Sequence, residues 1–194
     1  MDPHQKLKPH ETTDTSAWST QLESLNPPPQ IFISALGTTR GQAGSVEKQR
    51  VIDYDLNLSL AKAAQKAGVK VYVLVSTGMA DSSSRAPYLK MKGELEDAVS
   101  KLDFEKVVIL RPGLLLGHRE DSRPPEYAFR MIALGLSKIS KSYFFDTWVN
   151  PADEVGKAAV AAALECVEKT APAGKVWTLG ISDIVRLGRT EWKE

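Results

Sequence analysis

Residues 69–77 read Val-Lys-Val-Tyr-Val-Leu-Val-Ser-Thr, and this stretch decides the fold. The run from 69 to 75 is apolar apart from Lys70 and rich in β-branched residues, which is typical of a strand covered on both faces in a parallel sheet. The hydroxyl residues Ser76 and Thr77 follow the strand directly. They are therefore predicted to lie at the sheet edge where open α/β proteins bind their ligands.

Two similar apolar runs, residues 31–35 and 107–110, lie before and after this stretch. The starts of the three runs are 38 residues apart, and each gap holds one helical pattern, at residues 47–67 and 87–101. Gly68 ends the first of these helices. Strands alternating with single helices predict an α/β fold, namely a Rossmann-like, doubly wound, mostly parallel sheet with right-handed crossovers.

Further elements are predicted towards both ends of the chain. A short helix is expected soon after Asp14, and another at about residues 126–136, before an aromatic segment at 143–148. Asn150 is predicted to cap a helix that has Pro151 at its first position and runs to about residue 169. A last strand is expected at residues 175–179.

Size and composition restrict the classes of function. The 194 residues suffice for one domain, which we place at 30–194 after a weakly ordered segment at 1–29. The net charge of +1, without a dense basic stripe, argues against nucleic acid as a partner. The single cysteine, Cys166, is interpreted as a small buried thiol, and no metal site is assigned. No apolar run could span a bilayer, and residues 1–30 lack the composition of a targeting peptide, so composition alone favours the cytosol.

Tyr88 and Lys92 are the candidate chemical groups, four residues apart on one face of a predicted helix. Reduction of a carbonyl needs a proton donor at its oxygen, and tyrosine, with an ordinary pKa near 10, is a poor acid–base group at neutral pH. A neighbouring ammonium lowers that pKa towards the working range. Ser76 could then orient the carbonyl oxygen.

Simpler interpretations remain open for several of these residues. A Tyr-x-x-x-Lys pair alone is a weak signal, because an exposed tyrosine beside a solvated lysine gives the same spacing. Arg111 is expected more often in a structural ion pair than in catalysis, and Asp153 is expected to be a charge at a helix start. The pair gains weight from its place after the strand that ends at Ser76.

The resemblance to a known family rests on motifs that follow one another in the expected order. They are ISALGTTR at 33–40, DYD at 53–55, AGVK at 67–70, YLKMKGE at 88–94, RPG at 111–113 and IVRLGRTEW at 184–192. The chain resembles the atypical short-chain dehydrogenase/reductases, and within them the Tat-interacting protein group and its fungal relatives, the "found in mitochondrial proteome" proteins. The likeness covers about residues 12–194.

The resemblance implies roles at the matched positions. Tyr88 would be the acid–base residue, Lys92 its pKa partner and a contact to the nicotinamide ribose, and Ser76 the hydroxyl that orients the carbonyl. NAD(P) would be lined by two short segments. These are Ala35, Leu36 and Gly37, beside the adenine-side ribose, and Pro112 and Gly113, near the nicotinamide. Asp53 stands where many extended relatives carry asparagine.

The glycine-rich G-x-x-G-x-x-G loop of such proteins does not occur in the sequence. In the family, that loop and its strand-helix-strand unit precede the segment that begins near Lys6, and they hold the pyrophosphate. We therefore expect the domain to lack this portion and the chain to bind dinucleotide weakly or not at all. We also expect the strand at residues 31–35 to expose an apolar edge that could pair with a partner.

Two functional hypotheses follow. The first is an NAD(P)-dependent oxidoreductase acting on a small-molecule carbonyl substrate. The second is a non-catalytic binding or regulatory module that keeps the family fold. The resemblance implies a peripheral location at the mitochondrial outer membrane, with the cytosol as the alternative.

Overall fold

The computed structural model describes residues 14–116 and 149–193. The helix predicted at 126–136 and the aromatic segment at 143–148 lie outside the described residues. Within them the strands are β1 (Ile31–Ser34), β2 (Val71–Val75), β3 (Lys106–Leu110), β4 (Leu114–Leu116), β5 (Val149–Pro151) and β6 (Val176–Leu179). The helices are α1 (Trp18–Glu23), α2 (Arg40–Ala43), α3 (Val46–Arg50), α4 (Asn57–Lys66), α5 (Pro87–Ser100), α6 (Ala152–Val167) and α7 (Ile181–Val185).

The main sheet is parallel throughout, in the order β1-β2-β3-β6. Its middle register pairs Leu74 with Ile109, so β2 and β3 end at the same level, just before Ser76 and Arg111. β4 and β5 form a separate parallel pair. The predicted Rossmann-like α/β architecture is confirmed.

Alternate residues of β2 and β3 face two different hydrophobic cores, as a doubly wound sheet requires. Val73 and Val108 pack with the small residues of α6, such as Ala158 and Ala162. On the other face, Leu74 and Ile109 belong to a cluster with residues of α1, α4 and α5. The continuous apolar runs of these strands follow from burial on both faces.

β1 departs from that pattern. Within residues 14–116 and 149–193 it pairs with β2 alone, and Ile33 is 40 % exposed. Burial on both faces, predicted from its composition, therefore holds for β2 and β3 but not for β1. The expected exposed edge is therefore present in the described sheet, along the unpaired side of β1.

The helix predicted at 47–67 is present but is not uniform. α3 continues into a π-helical segment, Val51–Leu56, and then into α4, while the short α2 precedes them. The chain leaves α4 at Gly68, whose φ of +92° is a conformation that glycine adopts without strain. Hydrophobic spacing predicts the helix but not the π turn, which sets Asp53 and Asn57 on its buried side.

The predicted role of Asn150 as a helix cap is wrong. Asn150 lies in β5, where its Oδ1 accepts a hydrogen bond from the Gly113 N–H at 3.0 Å. The cap position of α6 is instead Pro151, without a side-chain hydrogen bond. The Asn150 side chain is used between strands and so cannot serve the helix. No helix in the described parts of the chain is both long and apolar enough to cross a membrane.

Candidate functional site

The candidate site lies where β2 and β3 end against α5. Ser76 follows β2 and Arg111 follows β3, both at the carboxyl edge of the sheet. Proline at its first position starts α5, and the helix then carries Tyr88, Lys92 and Glu96 at successive intervals of four residues. This spacing places the three side chains along one face.

Gly93 allows the loop before α5 to cross that helix closely. A Cβ at this position would lie 2.2 Å from the backbone nitrogen of Ser82 and 2.4 Å from the carbonyl carbon of Asp81. The Asp81 N–H also donates to the Leu89 carbonyl at 3.1 Å. The loop that joins Ser76 to α5 is therefore held against the helix by backbone contacts.

Lys92 is buried, with 4 % of its surface exposed, and its Nζ donates to the Val75 carbonyl oxygen at 3.1 Å. Burial lowers the pKa of its amine, while the nearby carboxylates of Asp53 and Glu96 oppose that shift. The ammonium is thus anchored beside Ser76, between two acidic side chains.

Ser76 is bound to a carboxylate that the sequence prediction missed. The Ser76 hydroxyl donates to Glu96 Oε1. Arg111 binds the same carboxylate through Nη2 at 2.5 Å and Nε at 3.1 Å, both measured to Oε2. Hydrogen bonding to Glu96 raises the pKa of the Arg111 guanidinium. The expected structural ion pair of Arg111 is present, and the signal for Glu96 was its position one turn after Lys92.

Asp53, on the π-helical segment, faces the loop that follows β1. Its Oδ1 accepts the Thr38 N–H at 2.6 Å, and its Oδ2 accepts from Gln49 Nε2 at 3.3 Å. Burial raises the pKa of the Asp53 carboxyl, partly offset by these hydrogen bonds and by Lys92. A Cβ on Gly37 would lie 3.8 Å from Asp53 Oδ1, an ordinary contact.

The predicted cofactor-lining segments lie at the same end of the sheet as these groups. Asn57 Nδ2 donates to the Leu36 carbonyl at 3.2 Å, which fixes the segment of Ala35, Leu36 and Gly37 after β1. The Pro112 carbonyl accepts the Gly78 N–H at 2.8 Å, next to Gly113. Each segment is held by a hydrogen bond to one of its carbonyl oxygens, from the Asn57 side chain in the first segment and from the Gly78 backbone in the second.

Tyr88 is the most exposed of the predicted catalytic residues, at 42 %. It lies one helical turn before Lys92, at the start of α5. The structure thus brings Lys92 and Ser76 together around the end of β2, with Tyr88 on the same helix face towards solvent. Their catalytic roles stay a prediction.

The described residues fit one end of a nicotinamide dinucleotide better than the other. Tyr88, Lys92, Pro112 and Gly113 could hold the nicotinamide ribose and ring. For the pyrophosphate, the sequence has no glycine-rich loop, and the Thr38 N–H is already donated to Asp53. In the described parts of the chain, no three His, Cys, Asp or Glu side chains cluster as a metal site.

A cavity of about 460 Å³ opens at the opposite end of the sheet, where β2 and β3 begin, near Lys70, Lys106 and Cys166. It is remote from Ser76 and Lys92, and two of its lysines are engaged, Lys70 with Glu105 and Lys106 with backbone carbonyls. Cys166 is buried, as predicted, and burial raises the pKa of its thiol. The chemistry-bearing residues lie at the other edge of the sheet.

The sequence is similar to those of a group of fungal proteins. A family model described as HIM1 matches residues 2–146. "Protein fmp52, mitochondrial" from Emericella nidulans is 52 % identical over 189 residues, which cover 96 % of this chain and 81 % of that protein. "Protein fmp52, mitochondrial" from Aspergillus fumigatus is 48 % identical over 188 residues, covering 96 % of this chain and 80 % of that protein.

The fold is similar to solved Rossmann-type structures. UDP-glucose 4-epimerase from Brucella ovis, in complex with NAD, aligns with a TM-score of 0.58 over 89 % of this chain and 65 % of the epimerase. RMD from Pseudomonas aeruginosa, complexed with NADPH, aligns with a TM-score of 0.59 over 89 % of this chain and 66 % of RMD. Both are 15 % identical in sequence, so the likeness concerns the fold. The chain spans just under two thirds of the length of each.

Proposed function

The chain belongs to the HIM1 family, and on that premise we propose that it is an NAD(P)-dependent oxidoreductase of the short-chain dehydrogenase/reductase type that acts on a small-molecule carbonyl. The single observation that supports this most is the placement of Lys92. A buried ammonium, held by the Val75 carbonyl at 3.1 Å, lies beside Ser76 and one turn from Tyr88.

These residues can handle a proton at a carbonyl oxygen. The Tyr88 phenol holds the proton, and a cation four residues away stabilises the phenolate that remains after transfer. The Val75 carbonyl and the carboxylates of Asp53 and Glu96 offset the cost of burying the Lys92 ammonium. A bound nicotinamide would supply or accept the hydride. Lys92 would hold its ribose, and Pro112 and Gly113 would lie along its ring.

We further propose that this chain, taken alone, binds the dinucleotide weakly. The residues that fit the nicotinamide end are present, whereas no glycine-rich loop supplies backbone N–H groups to a pyrophosphate. NAD and NADP both remain candidates, since the solved structures named above include one complex of each.

The alternative is a non-catalytic binding module. One observation favours it, the open edge of β1, where Ile33 is 40 % exposed. An unpaired strand edge is a template for a strand from another protein. In this case the site residues would only stabilise the fold.

The test is turnover by the purified chain at high NADPH or NADH concentration, with a panel of aldehydes, ketones and quinones. We expect oxidation of the reduced cofactor that requires the carbonyl compound and is lost in Tyr88→Phe. Tyr54→Phe is the matched control, because the contact of the Tyr54 ring with the Arg50 guanidinium, at 4.2 Å, does not depend on the phenol hydroxyl. Equal turnover in Tyr88→Phe would remove that residue from the mechanism. Absence of carbonyl-dependent turnover by the folded protein, at cofactor concentrations that saturate binding of NADPH or NADH, would favour the binding module.

We also propose that the protein resides at mitochondria, as a peripheral protein of the outer membrane. The names of the relatives from Emericella nidulans and Aspergillus fumigatus support the mitochondrial part. Added protease should remove the protein from intact mitochondria, and an alkaline carbonate wash should release it. Protection from protease, or recovery only in the cytosol, would contradict this location.

A further inference from the structure

We propose that Glu96 is a positioning residue that fixes the Ser76 hydroxyl as a hydrogen-bond acceptor towards the ligand. The site would then favour a ligand whose own hydroxyl donates a hydrogen bond to the Ser76 oxygen. The inference deepens the proposed function, on which it relies for the class of ligand: of the carbonyl and the alcohol that such a reaction interconverts, it assigns the alcohol as the one that Ser76 binds, in place of the predicted role of Ser76 in orienting the carbonyl oxygen. The inference depends on which group donates in the hydrogen bond between Ser76 and Glu96, both of which are described residues.

The polarity follows from the partners of the Glu96 carboxylate. Arg111 binds both carboxylate oxygens, with Nη2 and Nε directed at Oε2 and a longer contact of 3.3 Å from Nε to Oε1. A guanidinium only donates, and an ionised carboxylate only accepts. The remaining partner of Oε1 is the Ser76 hydroxyl, which must therefore be the donor.

Donating this hydrogen leaves Ser76 with lone pairs only. A serine hydroxyl has one hydrogen and two acceptor positions. Ser76 lies at the carboxyl end of β2 and is 7 % exposed, so little water can reach its hydroxyl and compete with Glu96 for the hydrogen. A ligand that meets this oxygen is favoured if it donates a hydrogen bond, as an alcohol does. A ketone or aldehyde oxygen cannot donate.

The cluster is balanced in charge, which keeps the polarity fixed. Glu96 lies between the cations of Arg111 and Lys92, and Lys92 lies between the anions of Glu96 and Asp53. Reversing the Ser76 bond would need a proton on Glu96, in contact with an arginine that is already hydrogen-bonded to it. This arrangement makes Glu96 a positioning residue, acting on the ligand through Ser76.

The isosteric variant Glu96→Gln should invert the bond. Arg111 still needs an acceptor and retains the amide oxygen, so the amide NH₂ points to Ser76 and donates to it. The Ser76 hydrogen is then released towards the ligand. Glu94→Gln is the matched control, since Glu94 lies two residues earlier and pairs with Arg50 at 2.6 Å, outside the cluster.

The first measurement is proton NMR of the chain near 0 °C, without cofactor or substrate. We expect one slowly exchanging, downfield serine hydroxyl signal that disappears in Ser76→Ala. It should also disappear in Glu96→Gln, where a protected side-chain amide appears instead, and persist in Glu94→Gln. Failure to detect the signal in the folded wild-type chain, or its survival in Glu96→Gln, would overturn the proposal. Turnover plays no part here, so failure of the oxidoreductase function is recognised separately.

The second measurement compares cyclohexanol with cyclohexanone as ligands, by chemical-shift titration of the same proteins. One hydrogen bond gained or lost predicts a preference of about tenfold for the alcohol in the wild-type chain. Glu96→Gln should abolish or reverse that preference, and Glu94→Gln should keep it. Equal binding, binding of neither compound, or a preference for the ketone would each overturn the assignment of the ligand as a hydroxyl donor.

Discussion

Replacing Gly93 with alanine tests the contact between α5 and the loop that brings Ser76 to it. In an open helix the change from glycine to alanine stabilises by ~1 kcal/mol. Here the new Cβ would lie 2.2 Å from the Ser82 nitrogen and 2.7 Å from the Asp81 nitrogen, both backbone atoms that cannot rotate away. The loop would have to move by about 1 Å to reach ordinary contact distance.

The expected result is a clear loss of stability. Overpacking of this kind costs ~1–3 kcal/mol or more, and weakening the bond from Asp81 N–H to Leu89 O adds ~1 kcal/mol. After subtracting the helix gain, the free energy of unfolding should fall by ~1–3 kcal/mol. For a chain of this size that lowers Tm by about 3–10 °C.

Thermal unfolding followed by circular dichroism measures the effect. Gly156→Ala is the control, because Gly156 lies within α6 and a Cβ there would meet nothing within 4 Å. Its Tm should stay unchanged or rise by about 2–4 °C. A Gly93→Ala protein as stable as the wild type would refute the close approach of the loop to α5.

Two further predictions concern buried charges. Burial raises the pKa of Asp53, so its folded value lies above its unfolded value and the protein loses stability as the pH rises between the two. Asp53→Asn removes this titrating group, so the difference in free energy of unfolding between the variant and the wild type should shift in the variant's favour as the pH rises through this range; a difference that stays constant across pH would contradict this. Arg189 binds the buried Glu154 at 2.6 and 3.0 Å, so Arg189→Met should lower the free energy of unfolding by ~1–3 kcal/mol. Arg186→Met, which breaks an exposed pair, should cost under ~1 kcal/mol, and equal losses would refute the distinction.

Much of the architecture was accessible from local patterns. The apolar runs predict β2 and β3, Pro87 predicts the start of α5, and Gly68 predicts the end of α4, because each depends on nearby residues. Asn150 shows where this fails. Its side chain has the right chemistry for a cap, but the pairing of β4 with β5 directs it to Gly113 instead.

The site was predictable only in part, for the same reason. Spacing along the sequence predicts Ser76 and Lys92 as site residues, and the structure places both at the end of β2. Glu96 was missed because its partners come from two strand ends, 20 residues before it and 15 residues after it. Its spacing of four from Lys92 is the available signal, because a carboxylate on the buried face of a helix needs a cation as its partner.

The most direct measurement compares Lys92→Met with Lys90→Met in carbonyl-dependent oxidation of NADPH. Both lie on α5, but Lys92 is buried at the end of β2. Lys90 is exposed, and its Nζ lies 4.0 Å from Glu94 Oε1, at the limit of an ion pair. If the buried ammonium supports acid–base chemistry at Tyr88, Lys92→Met should lower the rate by about 10²-fold or more and Lys90→Met should leave it unchanged. Equal rates in the two folded variants would contradict the assignment of this end of the sheet as an oxidoreductase site.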